Sequence, residues 1–389
     1  MLNPSVFLNE LECLYTARDT TKAFRFFFGR PSESRGDEGE ILLDKLRKDL
    51  VFMWRSYLYS DIKISISGNF SSVNHEPATA VFSSHRFMLT SRCPYFRALL
   101  ESRDRTTKAA ASPEEEEPTA VTLPSPPFTP ASLHFTLGYI YTGTLAFSAR
   151  TYDLNSAFHV MRSAIFLSLP SLYDETQARI VEKMMHGLCH AFLECSEYDL
   201  VTGGKWGTGG CKCRQCVRRL PRVLGFAIAE DVKNQYLERG AIRALICSYG
   251  KGWCTPEFSD LPEKIKARLL RGLASRTTPA NIFPLLFATQ EALRKLSTIS
   301  DVWSGSIMDM VVSERRIVDE VLCNQADECF EKPEWLELMA EDGTWSNNAN
   351  RVKWVMDSVG RGLNDRNAPL VYQVGGFLSN VGERGPTNS

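Results

Sequence analysis

The chain has 389 residues, 43% of them hydrophobic, and 45 Lys and Arg against 46 Asp and Glu give it a formal charge of −1. This length exceeds what one hydrophobic core usually supports, so we expect two folded units. A charge so close to zero argues against a global field that attracts nucleic acid or anionic lipid.

Residues 1–40 are predicted to form an N-terminal arm and a loop. They lack the basic region followed by an apolar stretch that marks a secretory signal. The chain also lacks the ~18 uninterrupted apolar residues that a membrane span needs. We therefore expect a soluble intracellular protein, cytoplasmic or nuclear or both, without a membrane partner. In that reducing setting the 11 cysteines should be free thiols that pack as small hydrophobes.

A helix followed by a strand is predicted after this arm. From Ile41 to Leu58 the apolar residues recur at three- and four-residue steps, which places them on one face of a helix. Residues 62–68 then alternate between apolar and polar, as in a half-buried strand.

The next stretch mixes short helices and strands. Residues 94–100 favour a helix with proline in its first turn, and residues 121–123 favour a strand. Residues 133–141 predict a helix that ends at Gly143, a residue suited to a left-handed cap. Between these elements, the charged and alanine-rich residues 101–119 are predicted to be a disordered insertion.

The C-terminal half shows only helical patterns beyond Cys216. The predicted helices lie at about 221–232, 235–249, 262–273, 279–297, 301–325, 333–340 and 350–363. The predicted organisation is an α+β domain over residues 41–185, an all-α domain over residues 186–370 and a tail over residues 371–389.

Three motifs follow one another in the first domain. Asp61 precedes the strand, His85-Arg86 precedes Pro94-Tyr95-Phe96, and Tyr139-Ile140-Tyr141-Thr142-Gly143 closes the series. In this order they resemble the signature motifs of the BTB/POZ family. The resemblance implies a small sheet flanked by helices, with a buried and non-catalytic His85. It assigns fold and dimer roles to Asp61, His85, Arg86, Tyr95, Phe96, Tyr139, Tyr141 and Gly143.

The same resemblance implies a homodimer. The helix before the first strand carries Phe52, Trp54 and Tyr57 around more than one face. A helix that is apolar on several sides must be covered on several sides, and in BTB domains the second cover is the partner subunit. The alternative is that the chain's own C-terminal domain covers this helix.

Protein partners are what the resemblance implies beyond the dimer. Many BTB proteins act as adaptors that hold a substrate for a cullin-based ubiquitin ligase. The family's cullin-contact motif has a loose counterpart here, Leu99-x-Glu101, at the start of the predicted insertion. The helical C-terminal region resembles the extension of fungal BTB proteins and stands where other adaptors have a BACK domain.

A cysteine cluster at residues 209–216 is the one place where metal chemistry is predicted. Cys213-x-x-Cys216 can bring two thiolates to one ion. Upstream, His186, Cys189 and His190 are spaced to share one face of a predicted helix. The candidate ligands of a structural zinc are Cys211, Cys213, Cys216, Cys189 and His190. Reduced thiols without metal and a redox pair are the alternatives.

Catalytic motifs are not found in the sequence. It contains no Gly-rich phosphate loop, no G-x-S-x-G and no H-E-x-x-H, so we predict an interaction scaffold and not an enzyme. No cofactor besides the zinc is predicted. A basic stripe near the cysteines supports an alternative, a nuclear regulator with a structural zinc site and weak nucleic-acid contact. The stripe comprises Lys212, Arg214, Arg218, Arg219 and Arg222.

Overall fold

The computed structural model describes two compact units, which divide between Ile180 and Val181, close to the boundary predicted at residue 185. The described residues are 37–70, 78–109, 119–148, 152–202, 213–250, 252–340 and 345–373. Most of the predicted N-terminal arm and most of the predicted tail lie outside these ranges.

The first unit combines a small sheet with helices. Its elements are α1 (Asp37–Ser56), β1 (Ile62–Gly68), β2 (Ala78–Ser84), α2 (Arg86–Arg92), α3 (Pro94–Ala109), β3 (Thr119–Leu123), α4 (Pro130–Thr142), a 3-10 turn (Leu145–Phe147), α5 (Leu154–Leu167) and α6 (Pro170–Arg179). The α+β class predicted for this part of the chain is confirmed.

Among the described residues, β1 is the central strand of a three-stranded sheet with the order β2-β1-β3. It pairs antiparallel with β2, where Ile64 lies opposite Phe82, and parallel with β3, where Ile64 lies opposite Val121. The parallel pair requires a crossover, which α2 and α3 provide. Ile62, Ile64 and Ile66 are buried while the residues between them are more exposed, so the predicted alternation is confirmed.

Helix α4 lies in the core of the first unit and has well-defined ends. Thr129 and Ser132 form a capping box at its start. Gly143 ends it with a φ of 71°, in the left-handed region predicted for this position. Leu133 and Leu137 of α4 are fully buried in a core that receives apolar side chains from the sheet and from every helix around it.

Helix α3 extends further than predicted. It continues to Ala109, so the prediction of disorder from residue 101 is wrong for residues 101–109. Tertiary contacts explain the difference: Arg103 donates to the Ala120 carbonyl, and Asp104 forms an ion pair with Arg86 of α2. Thr119 already belongs to β3, and the remainder of the predicted insertion lies outside the described residues.

All the secondary-structure elements that the structure describes in the second unit are helical, which confirms the predicted all-α region. A π-helical turn (Ile180–Met184) follows α6. The helices are α7 (Cys195–Thr202), α8 (Arg214–Ile228), α9 (Gln235–Cys247), α10 (Pro256–Ser259), α11 (Glu263–Ala274), α12 (Ile282–Ser297), α13 (Val302–Asn324), α14 (Ala326–Phe330), α15 (Pro333–Ala340) and α16 (Trp345–Gly362). None of the described helices combines the length and apolar character that crossing a membrane requires.

A buried polar contact joins α13 to α16. Asp319, which is 4% exposed, accepts hydrogen bonds from Ser358 Oγ at 2.5 Å and from Arg361 Nε at 2.7 Å. A buried carboxylate needs such partners because desolvation would otherwise favour its neutral form. The interaction therefore fixes α16 against α13 with specific geometry.

Candidate functional site

Tyr141 is the centre of a buried hydrogen-bond network in the first unit. Its hydroxyl oxygen lies 2.9 Å from the backbone nitrogen of His85, 2.9 Å from Ser84 Oγ and 2.7 Å from His85 Nδ1. His85 Nε2 lies 2.6 Å from the Leu58 carbonyl oxygen, which can only accept. Nε2 is therefore the donor in that hydrogen bond, and Nδ1 bonds to the Tyr141 hydroxyl on the other side of the ring. Burial raises the pKa of Tyr141, which keeps that phenolic proton in place.

Asp61 and Arg86 hold the start of α2. Asp61 Oδ1 accepts the backbone N–H of Arg86 at 2.7 Å, one of the donors that the first turn of a helix leaves unpaired. The guanidinium of Arg86 binds Asp104, and this hydrogen bond raises the pKa of Arg86. The structure thus brings Asp61, His85, Arg86 and Tyr141 into one region, where they join α2, α3 and the C-terminal end of α4.

The other predicted motif residues serve packing and capping. Tyr95 is half-buried, and its ring centroid lies 5.0 Å from that of Phe166. Phe96 is fully buried. Gly143 donates its N–H to the carbonyl of Tyr139 at 2.7 Å. These contacts stabilise the fold of the first unit.

The two faces of α1 have different environments. Trp54 is 4% exposed, and its ring contacts His134 at 4.8 Å and Phe147 at 5.2 Å between centroids. Phe52 is 66% exposed; Tyr57, predicted on the same helix, follows its last residue and is 51% exposed. The prediction that Trp54 is a dimer contact is wrong: positions two apart on a helix face different sides, so Trp54 fills its own core while Phe52 is left open.

Exposed apolar side chains continue from α1 into the following turn, and Phe87 of α2 lines the same open hollow as Phe52, Leu58 and Tyr59. Phe52, Tyr57, Leu58, Tyr59 and Phe87 are all exposed, and we refer to them as the aromatic surface. The sequence patterns did not predict Leu58, Tyr59 and Phe87 as surface contacts, although the run Tyr57-Leu58-Tyr59 indicates a large apolar segment at this point of the chain. Tyr57 and Tyr59 have φ values of 55° and 61°, which are unusual for bulky residues. The hydrogen bond from His85 to the Leu58 carbonyl links this turn to the buried network.

A separate cluster in the second unit brings together one histidine and two cysteines. The ligand atoms of His186, Cys213 and Cys216 all lie within 4.8 Å of one another, and Cys216 Sγ lies 3.4 Å from His186 Nδ1. Cys213 occupies the N-cap position of α8, where the nearby backbone N–H groups of Cys216 and Gln215 lower the pKa of its thiol. This arrangement supplies the nitrogen and sulfur donors that zinc prefers.

The predicted ligands are only partly brought together. The helix predicted to run past residue 186 ends in the π-helical turn, and positive φ values at His186 (49°) and Gly187 (78°) reverse the chain. His186, Cys189 and His190 therefore do not share a helix face, and it is His186 that reaches the two cysteines. Cys189 is fully buried, which raises its pKa to about 12, and it lies outside the cluster.

The other two predicted ligands are His190 and Cys211. His190 is half-buried and does not belong to the cluster formed by the described residues. Cys211 lies outside the described residues.

Two arginines of the basic stripe make contacts within the second unit. Arg218 lies 3.4 Å from a carboxylate oxygen of Glu257, and Arg219 donates to the Met184 carbonyl at 3.2 Å. Lys212 lies outside the described residues, as does the side chain of Arg214. The described arginines thus act at least partly as structural contacts.

The sheet, its crossover and the Tyr141 network define a small α+β interaction domain. Residues 56–183 match the family model described as the BTB/POZ domain. The chain therefore contains a BTB/POZ domain, and the resemblance inferred from its motifs is confirmed. No curated protein matched the chain. BTB/POZ domains are in general interaction modules that mediate homo-oligomerisation and partner binding. The match begins at the last residue of α1, so α1 lies almost entirely before it.

Proposed function

We propose that the protein is a non-enzymatic scaffold or adaptor that forms a homodimer through its BTB/POZ domain. The observation that carries the proposal is the aromatic surface. Exposed large apolar groups that cluster on one face are typical of protein interaction sites. Because this surface adjoins the Tyr141 network and α1, it lies in the part of the chain that the family uses for self-association.

The chemistry of the surface favours a second copy of the same chain. An open hollow beside α1 is lined by Phe52, Met53, Ser56, Leu58, Tyr59, His85 and Phe87. Among these described residues there is no Lys, Arg, Asp or Glu. A two-fold interface places the same patch on both subunits, so a patch without fixed charge can meet its own copy without like-charge repulsion. Burial of apolar area contributes about 25 cal/mol per Å² to such an association.

Light scattering on the purified full chain tests this proposal. We expect a dimer for the natural sequence and a monomer for Phe52→Glu, because a carboxylate would be desolvated in the interface. Ile165→Glu is the matched control, since Ile165 is also exposed in the first unit but lies on α5 and does not line this hollow. A natural chain that stays monomeric at every concentration, or a Phe52→Glu variant that stays dimeric, contradicts the proposal.

An adaptor for a cullin-based ubiquitin ligase is the more specific form of this proposal. The loose motif Leu99-x-Glu101 lies within α3, where Leu99 is half-buried against the core and Glu101 is exposed. The two side chains face different sides of the helix, which supports a cullin less strongly than the aromatic surface supports a homodimer. Affinity purification with mass spectrometry distinguishes an adaptor that recovers a cullin from a scaffold that does not.

A reducing intracellular setting fits the same proposal. The cysteines that the structure describes are free thiols, and most of them are buried. The alternative of a nuclear regulator that contacts nucleic acid has less support, because Arg218 and Arg219 bind groups of their own unit. Retention on DNA that falls steeply with salt would favour that alternative.

A further inference from the structure

We propose that His186, Cys213 and Cys216 form a structural zinc site in the C-terminal helical unit. The site is independent of the BTB/POZ domain and of the homodimer. It differs from the site predicted from the sequence, because His186 takes the place of Cys189 or His190.

The spacing of the donor atoms fits zinc. With Zn–S distances of about 2.3 Å and Zn–N distances of about 2.0–2.1 Å, a tetrahedral centre separates sulfur from nitrogen by about 3.6 Å and sulfur from sulfur by about 3.8 Å. Cys216 Sγ and His186 Nδ1 are 3.4 Å apart, and all three donor atoms lie within 4.8 Å of one another. Small side-chain adjustments therefore suffice to place an ion between them.

The type of donor selects the metal. Two thiolates and an imidazole suit zinc, whereas calcium and magnesium require oxygen ligands. Cys213-x-x-Cys216 is a common zinc-binding spacing. The described residues supply three ligands, and a structural zinc takes four, so a fourth ligand completes the tetrahedron.

The surroundings indicate what the site does. His186 lies in the turn after the π-helical segment, and the two cysteines lie at the start of α8. Arg219 of α8 already donates to the Met184 carbonyl at 3.2 Å, so the turn and the helix are in contact at a second point. Zinc would cross-link the turn to the N-terminus of α8, and its binding free energy would add to the stability of this unit.

Metal analysis of the full chain tests the proposal. The protein is purified without a histidine tag or chelator, and we expect one zinc per chain. Exchange of zinc for Co²⁺ should give the intense thiolate-to-metal charge-transfer absorption of a tetrahedral cysteine-containing site. We expect His186→Asn and Cys213→Ser to lose the zinc.

A matched control separates the two ligand assignments. His190→Asn changes the same residue type four positions away, and we expect this variant to keep its zinc. Zinc that is lost from His190→Asn but kept by His186→Asn overturns the assignment. A natural chain that binds neither zinc nor Co²⁺ overturns the proposal. The mass of the intact chain then distinguishes reduced thiols from a Cys213–Cys216 disulfide, which is lighter by the mass of two hydrogen atoms.

A measurement on the natural chain tests the proposal even if the variants fail to fold. Removal of zinc with a chelator should lower the unfolding temperature, and one equivalent of zinc should restore it. An unfolding temperature that does not respond to either treatment contradicts a structural role.

Discussion

Tyr141 couples three segments of the BTB/POZ domain through a single hydroxyl group. It reaches Ser84 at the end of β2 and both the backbone and the ring of His85, whose Nε2 holds the Leu58 carbonyl. The oxygen therefore satisfies several buried polar groups at once. Such a group is costly to remove, because its partners lose their hydrogen bonds without gaining water.

The Tyr141→Phe variant should lower the free energy of unfolding by about 1–3 kcal/mol. The ring still packs, so the loss isolates the hydrogen bonds. Tyr372→Phe removes a hydroxyl from a ring that is 74% exposed and lies outside the aromatic surface, and it should change stability by less than about 0.5 kcal/mol. Chemical denaturation of both variants measures the difference, and equal stabilities would show that the network contributes little.

Glu314 of α13 is a buried carboxylic acid with incomplete pairing. It is fully buried, Thr277 donates to its Oε1 at 3.1 Å, and its Oε2 has no hydrogen-bond partner among the described residues. Burial raises its pKa from 4.5 to about 7. The folded state therefore binds the proton more tightly than the unfolded state, and stability falls as pH rises from about 4.5 to about 7.

The Glu314→Gln variant should remove this pH dependence. At pH 8 the buried carboxylate costs roughly 3 kcal/mol, at about 1.4 kcal/mol per pH unit, so the neutral amide should stabilise the chain there by a similar amount. Near pH 5 the two proteins should be almost equally stable. Glu320→Gln on the exposed side of α13 is the control. Chemical denaturation of both variants across this pH range measures their free energies of unfolding. If Glu314→Gln and Glu320→Gln showed the same dependence of stability on pH, the prediction would be contradicted.

At the scale of elements, the packing of α9 against the turn after the π-helical segment excludes a side chain at Gly240. A Cβ there would collide with the carbonyl of Cys189, closer than real Cβ atoms approach any backbone atom. Gly225 in α8 has open space, because apart from its chain neighbours and its own helix backbone no heavy atom lies within 4 Å of the position that a methyl group would occupy. Close packing therefore requires the glycine at position 240, whereas the packing around position 225 does not require one.

We expect opposite effects from alanine at these two glycines. Gly240→Ala should destabilise the chain by about 1–3 kcal/mol or more through overpacking. Gly225→Ala should stabilise it by about 0.5–1 kcal/mol, since alanine loses less backbone entropy in a helix. Thermal unfolding of the two variants provides the comparison. A neutral Gly240→Ala would mean that the turn carrying Cys189 shifts at little cost.

At the scale of the whole molecule, the proposed homodimer links stability to concentration. A dimer that dissociates on unfolding is stabilised by mass action, so its unfolding temperature should rise as protein concentration rises. The rise should disappear in Phe52→Glu and persist in Ile165→Glu. Differential scanning calorimetry over a hundredfold concentration range measures it. A natural chain whose unfolding temperature stays constant would argue for a monomer.

Local patterns were sufficient for many elements. The two-residue alternation of β1, the C-terminal glycine of α4 and most C-terminal helices were predicted because period and capping are properties of neighbouring residues. The extent of α3 was not predicted, because Arg103 and Asp104 stabilise it through contacts with residues distant in sequence.

The sequence by itself determined the BTB/POZ motifs, the α+β and all-α organisation and the Cys213-x-x-Cys216 pair. Only the tertiary structure decided that Trp54 faces its own core and that His186 joins the two cysteines. The physical reason is that the periodicity of a sequence shows which residues share a face of a helix or strand, but not which other residues pack against that face. A single chain reversal, at His186 and Gly187, is enough to replace one set of neighbours by another.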